Sequence, residues 1–318
     1  MSGTMIAALV AAFVVTVLIL IITGWCYGQA FYVPERRKKL DPHTFFSNSN
    51  GEFCREPMGK LVDELLETPC EVVTIKSRDG LKLSGRFYRF SDNDSRVEIL
   101  FHGWRSSGIR DASGGARIAR EIGYNLLIVD QRAHGDSEGH TLTFGIKEKY
   151  DCIDWVRYVI ARFGGDVKIL LGGVSMGAAT VLMASCLKEL PPQVKAITAD
   201  CGYTSPKAIL CKSCRDRKIP PAIGYPFLRL AAQMFGGFSL KDGGAVEAVK
   251  HAKVPIMIMH GEGDDFVPFP MAQEIFDACQ GEKQLLTIPE ADHGLSYFFD
   301  TERYSKEVGD FKRRAFER

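Results

Sequence analysis

The sequence has 318 residues, of which 46% are hydrophobic and 25% are charged, as in an ordinary globular protein. A chain of this length holds one large α/β domain or two smaller domains. Its formal net charge of +1 gives no overall attraction to polyanions, so we expect no nucleic acid partner. Nine cysteines, an odd number, favour reduced thiols over a disulfide framework.

Residues 1–30 predict a transmembrane anchor. Residues 5–23 carry no charge and consist mostly of Ala, Val, Leu and Ile. As a helix, this segment would be roughly 28 Å long, close to the thickness of a bilayer core. Aromatic residues of the kind that lie at membrane interfaces follow at Trp25, Tyr27 and Tyr32.

A cleaved signal peptide is the alternative, with Gly28-Gln29-Ala30 as a small-x-small cleavage site. The uncharged run is longer than a signal-peptide core and no Lys or Arg precedes it, so a retained single-pass anchor is favoured. The nearest basic cluster, Arg36-Arg37-Lys38-Lys39, follows the anchor. The positive-inside rule therefore predicts that the rest of the chain is cytoplasmic, with an extracytoplasmic location as the alternative.

Residues 31–69 are interpreted as a juxtamembrane connector. Residues 45–56 are polar and rich in turn formers, and apolar residues then recur at helical spacing over 58–67. The polar face of that predicted helix is acidic rather than basic. It is therefore expected to pack on the following domain rather than to bind lipid.

From residue 70 onward, predicted strands and helices alternate. The strands are predicted at 71–77, 81–88, 96–101, 126–130, 167–171, 194–200, 255–260 and 284–288. Helices are predicted at 146–163, 178–187, 270–279 and 301–316. An Asp-Gly hairpin signal joins the first two strands, and the later alternation predicts an α/β fold with a mostly parallel sheet and helices on both faces.

The stretch between the sixth and seventh strands is longer than one crossover helix requires. Residues 203–253 therefore predict a small helical cap over the sheet edge, with an apolar helix at 227–235. Gly114-Gly115, Gly164-Gly165 and Gly243-Gly244 show no phosphate-loop pattern. These glycine pairs are interpreted as turns and helix ends.

The most informative pattern is GVSMG at 173–177. It stands between a predicted strand and an Ala-rich predicted helix, which is the context of a nucleophile elbow. A serine hydroxyl needs a base, and the base needs an orienting acid. Loops with such groups follow in the order that this arrangement requires, GEGDD at 261–265 after the seventh strand and PEADHG at 289–294 after the eighth.

Five motifs within residues 70–318 resemble those of α/β-hydrolase-superfamily serine hydrolases, similar to the membrane-anchored bacterial esterases grouped with serine aminopeptidases and carboxylesterases. They are FHGW at 101–104, DQRAHGDS at 130–137, GVSMG at 173–177, HGEGDDFVP at 260–268 and ADHG at 291–294. The resemblance implies an α/β-hydrolase fold with Ser175 as nucleophile, His293 as general base and acid, and Asp264 as its orienting acid. Asp265 and Asp200 are the alternatives for that acid.

The resemblance also implies an oxyanion hole, formed by the backbone N–H groups of Trp104 and Met176. His102 is interpreted as a residue that shapes the oxyanion loop, and His134 as one that orders the loop behind the elbow. Cys211 and Cys214 have metal-ligand spacing, but no second pair accompanies them, so no metal site is expected.

The function implied by the resemblance is cleavage of a carboxylic ester through an acyl-enzyme intermediate. The expected partners are a small-molecule ester or acyl substrate and, through the N-terminal helix, a membrane; no cofactor is expected. A peptidase or amidase, a lipid-directed thioesterase or lipase, and a non-catalytic binding protein on the same fold are the alternatives. The identity of the substrate and the oligomeric state are not readable from the sequence.

Overall fold

The chain alternates helices and strands after residue 70, as the sequence predicts. The computed structural model describes residues 2–47 and 49–318. The α-helices are α1 (Gly3–Ala30), α2 (Arg55–Glu67), α3 (Gly108–Ile122), α4 (Glu148–Phe163), α5 (Met176–Ala184), α6 (Pro206–Asp216), α7 (Pro221–Met234), α8 (Ala245–Val249), α9 (Pro270–Ala278), α10 (Ser296–Phe299) and α11 (Thr301–Glu317). The strands are β1 (Glu71–Lys76), β2 (Lys82–Tyr88), β3 (Arg96–Phe101), β4 (Asn125–Val129), β5 (Lys168–Val174), β6 (Val194–Asp200), β7 (Ile256–Gly261) and β8 (Lys283–Ile288).

These strands form one sheet in the order β1-β2-β4-β3-β5-β6-β7-β8. Strand β2 pairs antiparallel with β1 and β4, whereas the other neighbours pair in parallel. The predicted mostly parallel sheet is therefore confirmed. Because parallel strands end at the same edge, the loops after β3, β5, β7 and β8 meet there, and these loops carry the predicted site residues.

Apolar helix faces cover both sides of the sheet. On one side, α4, α5 and α9 bury residues such as Val156, Leu182 and Ile275 against the strands. On the other side, α2, α3 and α11 bury residues such as Val62 and Phe311. Helix α2 packs on α3, which agrees with the expectation that the connector helix lies on the domain.

Helix α3 is an element that sequence reasoning missed. Gly114-Gly115, interpreted above as a turn, lie inside this helix. Tyr297 packs against the helix at this point, and a Cβ on Gly114 would lie only 2.6 Å from its ring. The glycine therefore permits close packing rather than a turn. The interpretation holds for Gly164, which ends α4 with a φ of 94°, and for Gly244, which precedes α8.

The predicted cap insertion contains α6, α7 and α8, and α1 packs along α7. Helix α1 is long and apolar enough to cross a bilayer, and its most apolar stretch is exposed. Its C-terminal end, in contrast, enters a third apolar cluster, which we call the anchor–cap cluster. This cluster joins Cys26 and Phe31 to Leu210 of α6, Ala231 of α7 and Met176 of α5.

Candidate active site

Ser175 stands alone between β5, which ends at Val174, and α5, which begins at Met176. Its backbone has φ 55° and ψ −110°, a conformation that is costly for a residue with a side chain. Such strain is worth about 1–3 kcal/mol and persists only where the surrounding structure enforces it. The turn directs the serine to the edge of the sheet, as in a nucleophile elbow.

Gly173 and Gly177 allow this turn because the backbone on either side of it is very close. A Cβ on Gly173 would lie 2.3 Å from the carbonyl carbon of Gly177, and a Cβ on Gly177 would lie 1.9 Å from the carbonyl oxygen of Phe101. Neither distance is compatible with a side chain, and both obstacles are backbone atoms that cannot move aside. The steric reason for the two glycines is therefore the one that the motif predicts.

A hydrogen-bonded relay connects Ser175, His293 and Asp264. The Nε2 atom of His293 lies 2.9 Å from Oγ of Ser175, and Nδ1 lies 2.7 Å from Oδ2 of Asp264. A carboxylate only accepts, so Nδ1 carries a proton and donates it. Nε2 is then free to accept the serine hydroxyl proton. The three residues predicted as nucleophile, base and acid are thus brought together in that order.

Asp264 is held by more than His293. Its Oδ1 accepts the backbone N–H groups of Phe266 and Val267, at 2.9 and 2.7 Å. His260 Nε2 lies 3.3 Å from Oδ2, and it also donates to the carbonyl oxygen of Val267. Burial alone would raise the pKa of Asp264, but the charge of His293 and the hydrogen bonds from both histidines hold that pKa below its ordinary value. Asp264 is therefore an anion at neutral pH.

The two alternative acids have different surroundings from Asp264. Asp265 is exposed on the same loop. Asp200 is buried at the end of β6, where its Oδ2 accepts the hydroxyl of Tyr304 at 2.9 Å. Burial raises the pKa of Asp200 to about 6, although the Tyr304 hydrogen bond opposes that shift. The acid that contacts His293 through a hydrogen bond is Asp264.

The predicted oxyanion donors lie on either side of the serine. Met176 is the first residue of α5, and the N–H groups of a first helical turn have no partner within the helix. Trp104 follows Gly103, whose N–H donates to Asp111 Oδ2 at 2.7 Å. A Cβ on Gly103 would lie 3.3 Å from Cβ of Ser175, so this loop runs directly beside the serine.

His102 and His134 order the loop that contains Trp104. His102 is fully buried and accepts the Gln131 N–H at Nε2. His134 accepts the backbone N–H of Arg105 at 3.0 Å. Burial, helped by His102, lowers the pKa of His134 to about 3, so it is neutral at physiological pH. Both rings contact backbone groups, in agreement with the structural roles expected from the sequence.

A mostly apolar pocket of about 150 Å³ opens beside Ser175. Its walls come from three places: the end of α1, the cap helices α6 and α7, and the loops around the serine. Representative lining residues are Trp25, Trp104, Phe144, Leu210, Leu228 and Phe266. Lys212 and Asp216 also line it and form an ion pair at 2.7 Å, so these two charges are matched.

Sequence reasoning missed Cys201, His260 and the contribution of α1. The Cys201 sulfur lies 4.0 Å from His293 Nε2, and burial raises the pKa of that thiol well above its ordinary value. Its position directly after β6, at the same sheet edge as the other loops, was the available signal. Among the described residues, Cys201, Asp264 and His293 form the one group with metal-ligand spacing, within 4.8 Å. Both His293 nitrogens already face hydrogen-bond partners there.

The chain belongs to the alpha/beta hydrolase family, because the model of that family matches residues 99–308. It is 26% identical over 241 residues to YqkD of Bacillus subtilis, covering 74% of this chain and 77% of that protein. It is also 26% identical over 166 residues to the lysophosphatidylserine lipase ABHD12 of Macaca fascicularis, covering 50% of this chain but only 39% of the lipase.

Solved structures with the same fold include esterases. Esterase Pf2001 of Pyrococcus furiosus superposes with a TM-score of 0.63 at 23% identity, covering 79% of this chain and 93% of the esterase. Est1E of Butyrivibrio proteoclasticus, solved with bound ferulic acid, superposes with a TM-score of 0.60 at 20% identity, covering 77% and 100%. At these identities the likeness establishes the fold, and the predicted α/β-hydrolase fold is confirmed.

Proposed function

We propose that this hydrolase-fold protein is a serine hydrolase that cleaves carboxylic esters through an acyl-enzyme intermediate. The observation that carries the proposal is the continuous relay from Ser175 through His293 to Asp264. The hydrogen bonds run from hydroxyl to imidazole to carboxylate, the order that acyl transfer requires. The esterases among the similar structures agree with this chemistry.

In the proposed reaction, Oγ of Ser175 attacks the ester carbonyl carbon while His293 Nε2 takes the hydroxyl proton. The carbonyl oxygen becomes an oxyanion, which the N–H groups of Trp104 and Met176 stabilise by about 3 kcal/mol each. His293 then returns its proton to the departing alcohol. A water molecule, activated by the same histidine, attacks the acyl carbon and releases the acid and free Ser175. Asp264 stabilises the imidazolium in both halves.

A fluorophosphonate probe tests the proposal. We expect it to label the wild type and to leave Ser175→Ala unlabelled, because the probe reacts with an activated serine. Equal labelling of both proteins, or of neither, overturns the proposal. Turnover of p-nitrophenyl esters is then compared with turnover of aminoacyl anilides; faster cleavage of the anilides would identify a peptidase instead.

A lipid-directed lipase is the second candidate, favoured by a pocket that is mostly apolar and reaches the N-terminal helix. The curated relative named a lysophosphatidylserine lipase agrees with this direction. A p-nitrophenyl ester series from acetyl to palmitoyl tests it. Preference for long acyl chains supports a lipase, and preference for acetyl argues against one.

We also propose that residues 1–30 are retained as a single-pass anchor, with 31–69 as connector and 70–318 as the catalytic domain. The burial of Cys26 and Phe31 within the folded domain supports retention, since cleavage after residue 30 would remove part of that packing. The basic segment 36–39 favours a cytoplasmic domain. The mass of the membrane-bound protein and protease accessibility in intact cells test these two points.

A further inference from the structure

One wall of the pocket beside Ser175 comes from α1, the helix that precedes all eight strands in the chain. Trp25, Cys26, Gln29 and Ala30, from the last two turns of α1, line the pocket. Their spacing places them on one face of the helix. The helix proposed to cross the membrane therefore ends as part of the binding site.

Hydrogen bonds fix this wall relative to the loops around the serine. The Arg105 guanidinium donates to the carbonyl oxygens of Gln29 and Tyr32, at 3.1 and 3.0 Å. Arg105 directly follows Trp104, the proposed oxyanion donor. The Tyr27 hydroxyl lies 2.5 Å from Oγ1 of Thr141, in a further loop of the domain. The end of α1 is thus tied to the same loop that faces Ser175.

The size of the pocket limits what it can enclose. A pocket of about 150 Å³ has room for a group about as large as benzene. An acyl chain bound to Ser175 would fill that space with roughly its first six carbons. A longer chain must leave the pocket, and the surface beyond it decides whether that is favourable.

The surface at the α1 end of the pocket is mixed, because exposed Gln29 and Arg217 line the pocket together with apolar residues. Trp25 lines the pocket and is nevertheless 57% exposed. On the neighbouring helix α7, Ile223 is 60% exposed beside the pocket residue Gly224. A chain that leaves the pocket beside Trp25 therefore meets an exposed aromatic side chain of α1.

We propose that the end of α1 is the acyl-binding wall of the active site and selects esters with long acyl chains drawn from the membrane. Burial of apolar area at the Trp25–Ala30 face stabilises the bound acyl chain, so each added carbon that contacts the wall favours binding. This inference rests on the proposed function, because the acyl group must reach Ser175 to be bound in this way.

Photo-crosslinking locates the acyl chain directly. The full-length protein in detergent is labelled with a dodecyl fluorophosphonate that carries a diazirine at about the sixth carbon of its chain, where the pocket still encloses it, then irradiated and mapped by mass spectrometry. We expect the phosphonate on Ser175 and the crosslink within residues 25–30. Labelled Ser175 with crosslinks only elsewhere overturns this inference alone. Absence of label on Ser175 overturns the proposed function.

Variants of the wall test selectivity. Cys26→Phe and, as a milder change, Ala30→Leu reduce the space along the chain path. We expect the ratio of kcat/KM for p-nitrophenyl laurate to that for the butyrate to fall about tenfold in Cys26→Phe. The control Ile21→Phe adds an aromatic ring at a position of α1 that is 62% exposed and outside the pocket, and it retains the wild-type ratio.

Fluorophosphonate labelling of each variant shows that its site is folded. If Cys26→Phe fails to label, Ala30→Leu provides the comparison, with a smaller fall in the same ratio. A laurate-to-butyrate ratio equal to the wild type in every labelled wall variant contradicts the role assigned to α1.

Discussion

At the sheet edge, Ser175, His293 and Asp264 are held by hydrogen bonds and a strained turn, whereas at the anchor–cap cluster the contacts are mainly apolar. Phe31, for example, packs edge-to-face on Phe144 and on Phe238, with ring centroids 5.8 and 5.3 Å apart. The first region fixes the positions of the atoms proposed to react, and the second contributes walls to the pocket beside them. We infer that the proposed chemistry depends on hydrogen bonds, whereas the choice of substrate depends on apolar contacts.

The largest effect is expected at Ser175, the proposed nucleophile. Ser175→Ala removes the hydroxyl that is proposed to attack the substrate, so kcat should fall by roughly a million-fold. The melting temperature should stay close to that of the wild type, because the backbone is unchanged. Steady-state hydrolysis of p-nitrophenyl butyrate with a thermal scan measures both. A fall of less than tenfold would mean that another group performs the attack.

Replacing Asp264, the proposed orienting acid, should lower kcat less than replacing Ser175 but far more than replacing the adjacent carboxylate. Asp264→Asn leaves a similar shape but no longer fixes the tautomer of His293, so kcat should fall by roughly 10⁴-fold. The matched control Asp265→Asn changes the adjacent, exposed carboxylate and should retain kcat. Equal losses in the two variants would contradict the assignment of Asp264 as the orienting acid.

Gly177 lies in close contact with backbone atoms at the elbow, whereas Gly59 lies at an open position of a helix, so the same substitution should affect stability differently at the two sites. Gly177→Ala forces a Cβ to within 1.9 Å of the Phe101 carbonyl oxygen and should lower the free energy of unfolding by about 3 kcal/mol or more. Gly59→Ala in α2 meets no atom within 4 Å and should raise that free energy by about 0.5–1 kcal/mol. Urea titration checks both. We expect the two substitutions to change the free energy of unfolding in opposite directions. A Gly177→Ala variant as stable as the wild type would be inconsistent with this geometry.

Asp200, a polar residue at the sheet edge, should make the free energy of unfolding depend on pH. Its pKa is about 6 in the folded protein against an ordinary 3.8. Between those values the folded chain keeps a proton that the unfolded chain has released. The free energy of unfolding therefore falls as pH rises across this window, by about 3 kcal/mol from this group.

Asp200→Asn removes that titration. The variant should gain stability relative to the wild type as pH rises from about 4 to about 7. Urea titrations of both proteins across this range measure the difference. A constant difference between them would show that Asp200 titrates at the same pH in the folded and unfolded chains.

The smallest effect is expected at the junction of α1 with the domain. Tyr27→Phe removes the hydroxyl beside Thr141 but keeps the ring against Phe235, so stability should fall by about 1 kcal/mol. Tyr32→Phe, at a more exposed ring, is the control and should change stability less. Thermal scans in detergent compare the two. A larger loss in Tyr32→Phe would mean that the hydrogen bond of Tyr27 does not help to hold α1.

The sequence predicted the sheet edge well because short local patterns determine it. The limits of β3 and β6 agree with the structure at both ends, and the order of the serine, acid and histidine loops is that of the family. Close packing between distant segments was harder to predict. Gly114 was interpreted as a turn because its neighbour in space, Tyr297, is far away in sequence.

The pocket wall was missed for the same physical reason. An uncharged run such as 5–23 predicts a helix that crosses a membrane, but nothing in its periodicity shows that the next two turns pack against a cap some two hundred residues later. Cys201 likewise carries no motif. It reaches His293 because β6 ends at the same sheet edge as the strands that precede Ser175, Asp264 and His293.

Trapping the acyl-enzyme tests the central proposal most directly. The full-length protein is mixed rapidly with p-nitrophenyl butyrate, quenched in acid and digested, and the peptides are mapped by mass spectrometry. We predict a butyryl group on Ser175 of the wild type and none in Ser175→Ala. A butyryl group on Cys201 instead, or turnover of the ester by Ser175→Ala at the wild-type rate, would contradict the proposal.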